Sequence, residues 1–147
     1  MIAYVLDASV AAKWFLPPGQ EPMAEEALQI LRDLGRGKVR LLVPDLFWPE
    51  FGNIFWKAAR IGRISRKTAE ESIEAIGAVE LTTAPCRPLL KNAFAIAATF
   101  GRSVYDGLYV ALAVESGTPL VTADERLAHA LAAVFPVRWL GSPYALG

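Results

Sequence analysis

Short apolar runs alternate with longer stretches in which apolar residues recur every three or four positions, along the whole 147-residue chain. Ile2-Ala3-Tyr4-Val5-Leu6 is apolar at almost every position, as a strand buried on both faces should be. Residues 8–16 predict a short helix, stopped by Pro17-Pro18-Gly19. Residues 21–34 predict an amphipathic helix, with Ala24, Ala27, Leu28, Ile30, Leu31 and Leu34 inward and Gly35 and Gly37 at its end. A second strand is expected over 40–43. Pro44-Asp45 then starts a long helix to about Ile61, with Asp45 as its N-cap and Gly62 after it. Ser65 is expected to cap a helix ending at Ile76, with Gly77 beyond it. A short third strand follows over 79–81, then a helix over 88–100 ended by Gly101, and a helix from Asp106 to Glu115 with Gly117 after it. Leu120-Val121-Thr122 predicts a strand, Asp124 caps a helix to about Val134, and 137–140 is the last strand. This order predicts one α/β domain over residues 1–147. It would be a three-layer α/β/α sandwich around a mostly parallel sheet of about five strands.

The helix after Asp45 divides into two faces at about 100° per residue. Phe47, Trp48, Phe51, Ile54, Phe55 and Ala58 share the broad apolar face expected to join the core. Glu50, Asn53 and Lys57 form a polar stripe elsewhere. Alone, that stripe reads as a solvated surface. Trp56 falls outside the apolar arc, near Lys57 and Arg60, and suggests a contact surface.

Composition adds boundaries to this picture. Apolar residues make up 54% of the chain, enough for a sizeable core, and the formal net charge is zero. That balance argues against a protein that coats nucleic acid through bulk positive charge, while leaving room for a local basic patch. Cys86 is the only cysteine. It excludes an internal disulfide and a thiolate metal cluster, reads as a small buried hydrophobe, and suits a reducing cytoplasm. No secretory leader or membrane-spanning stretch is expected.

The acids carry the chemistry. Asp7 closes the first strand, Asp124 follows the run Pro119-Leu120-Val121-Thr122, Asp106 opens an apolar helix, and Glu50 lies among aromatics. Carboxylates in such places are costly unless a cation offsets them. In parallel sheets ligands bind beyond the carboxyl ends of the strands, where Asp7 and Asp124 are expected. A helix start can orient Asp106 and favour its ionised form. All candidate ligands are carboxylate or hydroxyl oxygens, which suits Mg²⁺ or Mn²⁺ over Zn²⁺.

At these residues the chain resembles the PIN-domain family, and within it the VapC-type toxins of bacterial and archaeal toxin–antitoxin pairs. The matching text is Val5-Leu6-Asp7-Ala8-Ser9 with Ala12-Lys13-Trp14-Phe15, then Val43-Pro44-Asp45-Leu46 with Pro49-Glu50 and Asn53. Tyr105-Asp106-Gly107-Leu108-Tyr109-Val110-Ala111-Leu112-Ala113 and Leu120-Val121-Thr122-Ala123-Asp124-Glu125-Arg126-Leu127 complete it. The resemblance implies a PIN-like fold and a metal-dependent endoribonuclease. Its catalytic and metal-binding quartet would be Asp7, Glu50, Asp106 and Asp124 on Mg²⁺ or Mn²⁺. It implies water attack on single-stranded or looped RNA, a cognate antitoxin, and a cytoplasmic location without a membrane. Ser9 and Thr122 match small hydroxyl residues that can orient a carboxylate or a water, with Asn53 in support. The main departure is Gly107, where relatives often carry alanine.

Other features have plainer readings beside sharper ones. Lys57, Arg60, Arg63, Arg66 and Lys67 cluster around a turn. They form a solubilising surface or, with Lys13 facing the crevice, a rim that contacts RNA phosphates. Asp45 is a fifth-choice ligand, His129 is peripheral, and Tyr105 and Tyr109 read as core rather than catalytic. Trp14-Phe15-Leu16-Pro17 and the aromatic helix offer surplus apolar surface, which predicts a homodimer and a groove for an antitoxin segment. Competing readings are a housekeeping PIN-domain RNA-processing nuclease, a non-catalytic PIN-like module that binds RNA or protein, and an aspartyl-phosphate enzyme. The last is disfavoured, because Asp7-Ala8-Ser9 lacks a second aspartate two residues on.

Overall fold

The computed structural model describes residues 1–142. β1 (Ile2–Leu6), β2 (Val39–Pro44), β3 (Thr82–Ala84), β4 (Leu120–Thr122) and β5 (Val137–Trp139) form one parallel sheet in the order β3-β2-β1-β4-β5. Chain order reverses on either side of β1. Successive strands run outward through β2 on one flank and through β4 on the other. Such a switch point leaves a crevice beyond the carboxyl ends of the central strands, because the flanking connections leave in opposite directions.

Among the described residues seven α-helices cover the sheet: α1 (Ala8–Ala12), α2 (Ala24–Gly35), α3 (Phe47–Arg60), α4 (Arg66–Ile76), α5 (Leu90–Phe100), α6 (Val104–Ser116) and α7 (Glu125–Leu131). Alternation along the strands builds a core on each face. Tyr4, Leu6, Leu41, Val43 and Val121 pack with α1, α2, α3 and α4. Val5 and Leu120 point the other way, into a core with α5, α6 and α7. The three-layer α/β/α architecture expected from the pattern is present. In α3, Phe47, Phe51 and Phe55 are fully buried in successive ring contacts, with ring centroids 5.9 and 4.7 Å apart. That packing fixes the rotation of α3 and turns its Glu50–Asn53 stripe toward the crevice.

Several boundaries differ from expectation for physical reasons. α1 ends at Ala12, and the chain continues in turns to Leu16. α2 starts at Ala24 rather than residue 21, after Met23 adopts a left-handed φ of 60°. α3 begins at Phe47 without a side-chain cap. Asp45 instead accepts the Cys86 N–H at 3.3 Å, and Cys86 Sγ accepts the Leu46 N–H at 3.4 Å. Asp45 is therefore a clasp to the segment after β3 and not an N-cap. Cys86 is half-buried against the second core. β3 lies at Thr82–Ala84 rather than 79–81, since it is an exposed edge strand with little apolar signal. α6 starts at Val104 under a Ser103 cap, so Asp106 sits inside the first turn.

Gly107 has a packing reason. A Cβ there would lie 2.3 Å from the Ala93 carbonyl oxygen of α5, so the glycine lets α6 press against that backbone. No helix of the described residues is long and apolar enough to cross a membrane.

Candidate functional site

A cavity of about 650 Å³ opens at the carboxyl ends of β1 and β4, lined among others by Asp7, Ser9, Glu50, Asn53, Tyr105, Asp106 and Asp124. The four acids come from four separate segments. Asp7 terminates β1 and caps α1, accepting the Ser9 N–H at 3.2 Å. Its second oxygen accepts the Thr122 hydroxyl at 2.8 Å. Thr122 is fully buried at the end of β4, and its Oγ1 accepts the Asp124 N–H at 3.0 Å. One hydroxyl thus sets both aspartates in register across the switch point. Ser9 braces the same junction by accepting the Ala123 N–H at 3.3 Å.

Glu50 projects from the first turn of α3 and accepts the Tyr109 hydroxyl at 2.7 Å. Tyr109 is buried in α6, and burial pushes its phenol far above the usual range, so it remains a donor. Asp106 and Asp124 share Arg102. Its Nη2 is 3.2 Å from one and 3.3 Å from the other. The other Asp124 oxygen accepts the Leu127 N–H at 3.1 Å and caps α7.

Three of these carboxyls are raised above their ordinary values. Burial is the largest cause for Asp7, opposed by the Thr122 and Ser9 hydrogen bonds and reinforced by the charges of Asp106 and Asp124. Burial also leads for Glu50, opposed by Tyr109 and reinforced by Asp7 and Asp106. For Asp106, burial raises, Arg102 lowers and Asp124 raises. Mutual repulsion among acids in one crevice is the signature of a site that lacks positive charge.

Among the described residues no group of three acids, histidines or cysteines stands together as a finished metal cage. The donor set nevertheless fits a hard divalent cation. Every candidate ligand is an oxygen, the acids outnumber the local cation, and Mg²⁺ usually takes only one or two carboxylates while keeping waters.

The sequence-predicted basic residues are placed differently. Lys13 does not face the crevice. Its ammonium is buried at 3.2 Å from Glu21, which also takes Arg63 at 2.8 Å. The lining of the cavity does not include Lys13, Lys57, Arg60 or Arg63. Arg60 lies over the exposed ring of Trp56, 5.3 Å from its centroid. His129 is exposed on α7 and outside the cavity lining. Tyr105 is no core residue: it is 60% exposed at the cavity edge.

Two functional partners escaped sequence reasoning, Tyr109 and Arg102. Arg102, four residues before Asp106, had that short spacing as a local hint, whereas Tyr109 bonds Glu50, 59 residues away, and had none.

Four carboxylates at the switch point of a parallel sheet, without thiol or imidazole among them, define an acidic oxygen-donor centre on an α/β scaffold. Residues 4–131 match the family model for the PIN domain, and the chain belongs to that family. Ribonuclease VapC3 of Pyrobaculum aerophilum is 34% identical over 127 residues, covering 85% of this chain and 92% of that protein. A crystal structure of a protein from Pyrobaculum aerophilum aligns with a TM-score of 0.69 at 23% identity, covering 95% of this chain and 90% of its own. A toxin–antitoxin complex from Klebsiella pneumoniae gives a TM-score of 0.63 at 14% identity, covering 97% of this chain and 99% of its own. At those identities the two structures share the fold.

Proposed function

We propose that this protein is a divalent-metal-dependent endoribonuclease, the toxin of a toxin–antitoxin pair. The observation that carries the reading is the convergence of Asp7, Glu50, Asp106 and Asp124, from four segments, on one cavity at the sheet's switch point. Their excess negative charge suits Mg²⁺ or Mn²⁺, held by one or two of these carboxylates and water. When bound, the ion supplies Lewis acidity toward a phosphodiester and lowers the pKa of water. The chain's own residues do the rest. Thr122 holds Asp7, and Tyr109 holds Glu50, each by a neutral hydroxyl that aims the carboxylate without neutralising it. Asn53 lines the cavity one turn beyond Glu50 and offers an amide to substrate or water. Tyr105 offers an exposed ring on which an unpaired base can stack, which favours single-stranded or looped RNA. Lys57 and Arg60 extend further along α3 as candidate phosphate contacts.

The 34% identity to a protein named a ribonuclease supports the activity, and likeness to a toxin–antitoxin complex supports a protein antitoxin as partner. A homodimer and a cytoplasmic location belong to the same proposal. The test is cleavage of labelled single-stranded RNA by purified protein with Mg²⁺ or Mn²⁺. Cleavage is expected with either ion, and full activity in EDTA would overturn the reading.

A further inference from the structure

We infer that Arg102 is a resident counter-cation of the acid site: it holds Asp106 and Asp124 where a divalent ion would, and so weakens this chain's grip on that ion. The inference rests on the metal-site reading above. Arg102 follows Gly101, whose left-handed φ of 68° ends α5, and its backbone N–H donates to the Ala97 carbonyl at 3.1 Å. The backbone is thereby pinned while the side chain reaches two separate elements. Its Nε and Nη2 lie 3.3 and 3.2 Å from Asp106 Oδ2 in the first turn of α6, and Nη2 lies 3.3 Å from Asp124 Oδ2 ahead of α7.

The decisive detail is which oxygens are used. Asp124 Oδ1 already caps α7 through the Leu127 N–H, and Oδ2 carries Arg102. A metal ion that engages Asp124 therefore meets an oxygen already in use, and one that takes Oδ2 must share it with Arg102 or displace it. Two cations on the same carboxylate repel, and a guanidinium cannot shed its charge. Arg102 is partly exposed, with a side-chain accessibility of 23%, so solvent is open to it when the ion displaces it. Lys13 and Arg63, by contrast, are committed to Glu21.

The experiment is Mn²⁺ titration of the metal-free, full-length protein by calorimetry, in wild type, Arg102→Gln and Arg102→Lys. Arg102→Gln is expected to bind Mn²⁺ about fivefold more tightly, the upper scale of one partly solvated charge pair. Arg102→Lys, which keeps the charge, is expected to stay near wild type. A melting-temperature gain on adding Mn²⁺ should also be larger in Arg102→Gln. Wild-type binding with equal or weaker binding by Arg102→Gln would overturn the inference and leave the metal site standing. Absence of Mn²⁺ binding in wild type would overturn the metal site itself, and the inference with it. A measurement on the unaltered side chain guards against misfolding of the variant. In isotope-labelled wild type the Arg102 Nε–H resonance, assigned by its absence in Arg102→Lys, should shift on saturation with Mg²⁺. An unchanged resonance would overturn the inference.

Discussion

Two places in this molecule draw carboxylates out of solvent, and they are balanced in opposite ways. Glu21 is 11% exposed and meets two cations, Lys13 at 3.2 Å and Arg63 at 2.8 Å. The network ties the turn after α1 to the turn between α3 and α4. In the cavity, Asp7, Glu50, Asp106 and Asp124 gather, and Arg102 pairs with only two of them. The first is an ion network that completes itself. The second leaves negative charge unmatched, and three of its carboxyls are held above their ordinary range, chiefly by burial and further by the neighbouring acids. Burial of acids does not mark a functional site by itself. Acids that the protein's own cations fail to balance do mark one.

The contrast makes different demands on substitution. In the cavity, the largest effect should be on chemistry. A metal supplies several kcal/mol of transition-state stabilisation, so Asp106→Asn or Asp7→Asn should lower RNA cleavage by on the order of 10³-fold or more. The check is single-turnover cleavage with the variants' fold verified by circular dichroism. Undiminished cleavage in both variants would remove the site from its role.

At Glu21 the effect should be on stability. Glu21→Gln leaves the buried Lys13 ammonium with a weaker partner. Breaking such a pair, discounted because Arg63 is partly solvated, is expected to cost about 2–3 kcal/mol. Thermal melting checks it, and a loss under about 0.5 kcal/mol, the range of ordinary surface changes, would mean that the network contributes little.

The third effect is smaller and opposite in sign. Asp7, Glu50 and Asp106 keep their protons to higher pH when folded than the ordinary values of 3.8 and 4.5 that apply unfolded. Between the two, the folded state binds more protons. Stability of the metal-free protein therefore falls as pH rises from about 4 through the raised values, and levels off above them. Asp7→Asn removes part of that loss. It should melt about 2–4 °C higher than wild type at neutral pH without metal, the shift that ~1 kcal/mol produces in a chain of this size. The advantage should shrink toward pH 4. A variant less stable than wild type at neutral pH would contradict the claim that the buried Asp7 charge is costly without a metal.

How much of this was legible in the sequence follows the same division. Apolar runs located β1 and β4, and glycines or caps located most helix ends, because burial and backbone geometry leave local marks. β3 slipped because Thr82 and Thr83 lie exposed on an edge strand, and an exposed edge imposes no apolar pattern. The acids stood out because a carboxylate beside an apolar run is locally anomalous. Their partners did not. Tyr109 looked like one more core aromatic until its hydroxyl met Glu50, 59 residues away. Lys13 looked free until Glu21 turned back to it and Arg63 joined from 42 residues beyond Glu21. Charge balance is a property of the folded chain, and no local pattern reports it.

The proposed role of the cavity stands or falls on whether the four acids form one divalent-metal site. Crystals soaked in Mn²⁺ and measured for anomalous scattering test it most directly. An anomalous peak is expected inside the cavity, within coordination distance of at least one of Asp7, Glu50, Asp106 and Asp124. A fully soaked crystal with no peak there, or with ordered Mn²⁺ only elsewhere, would contradict it.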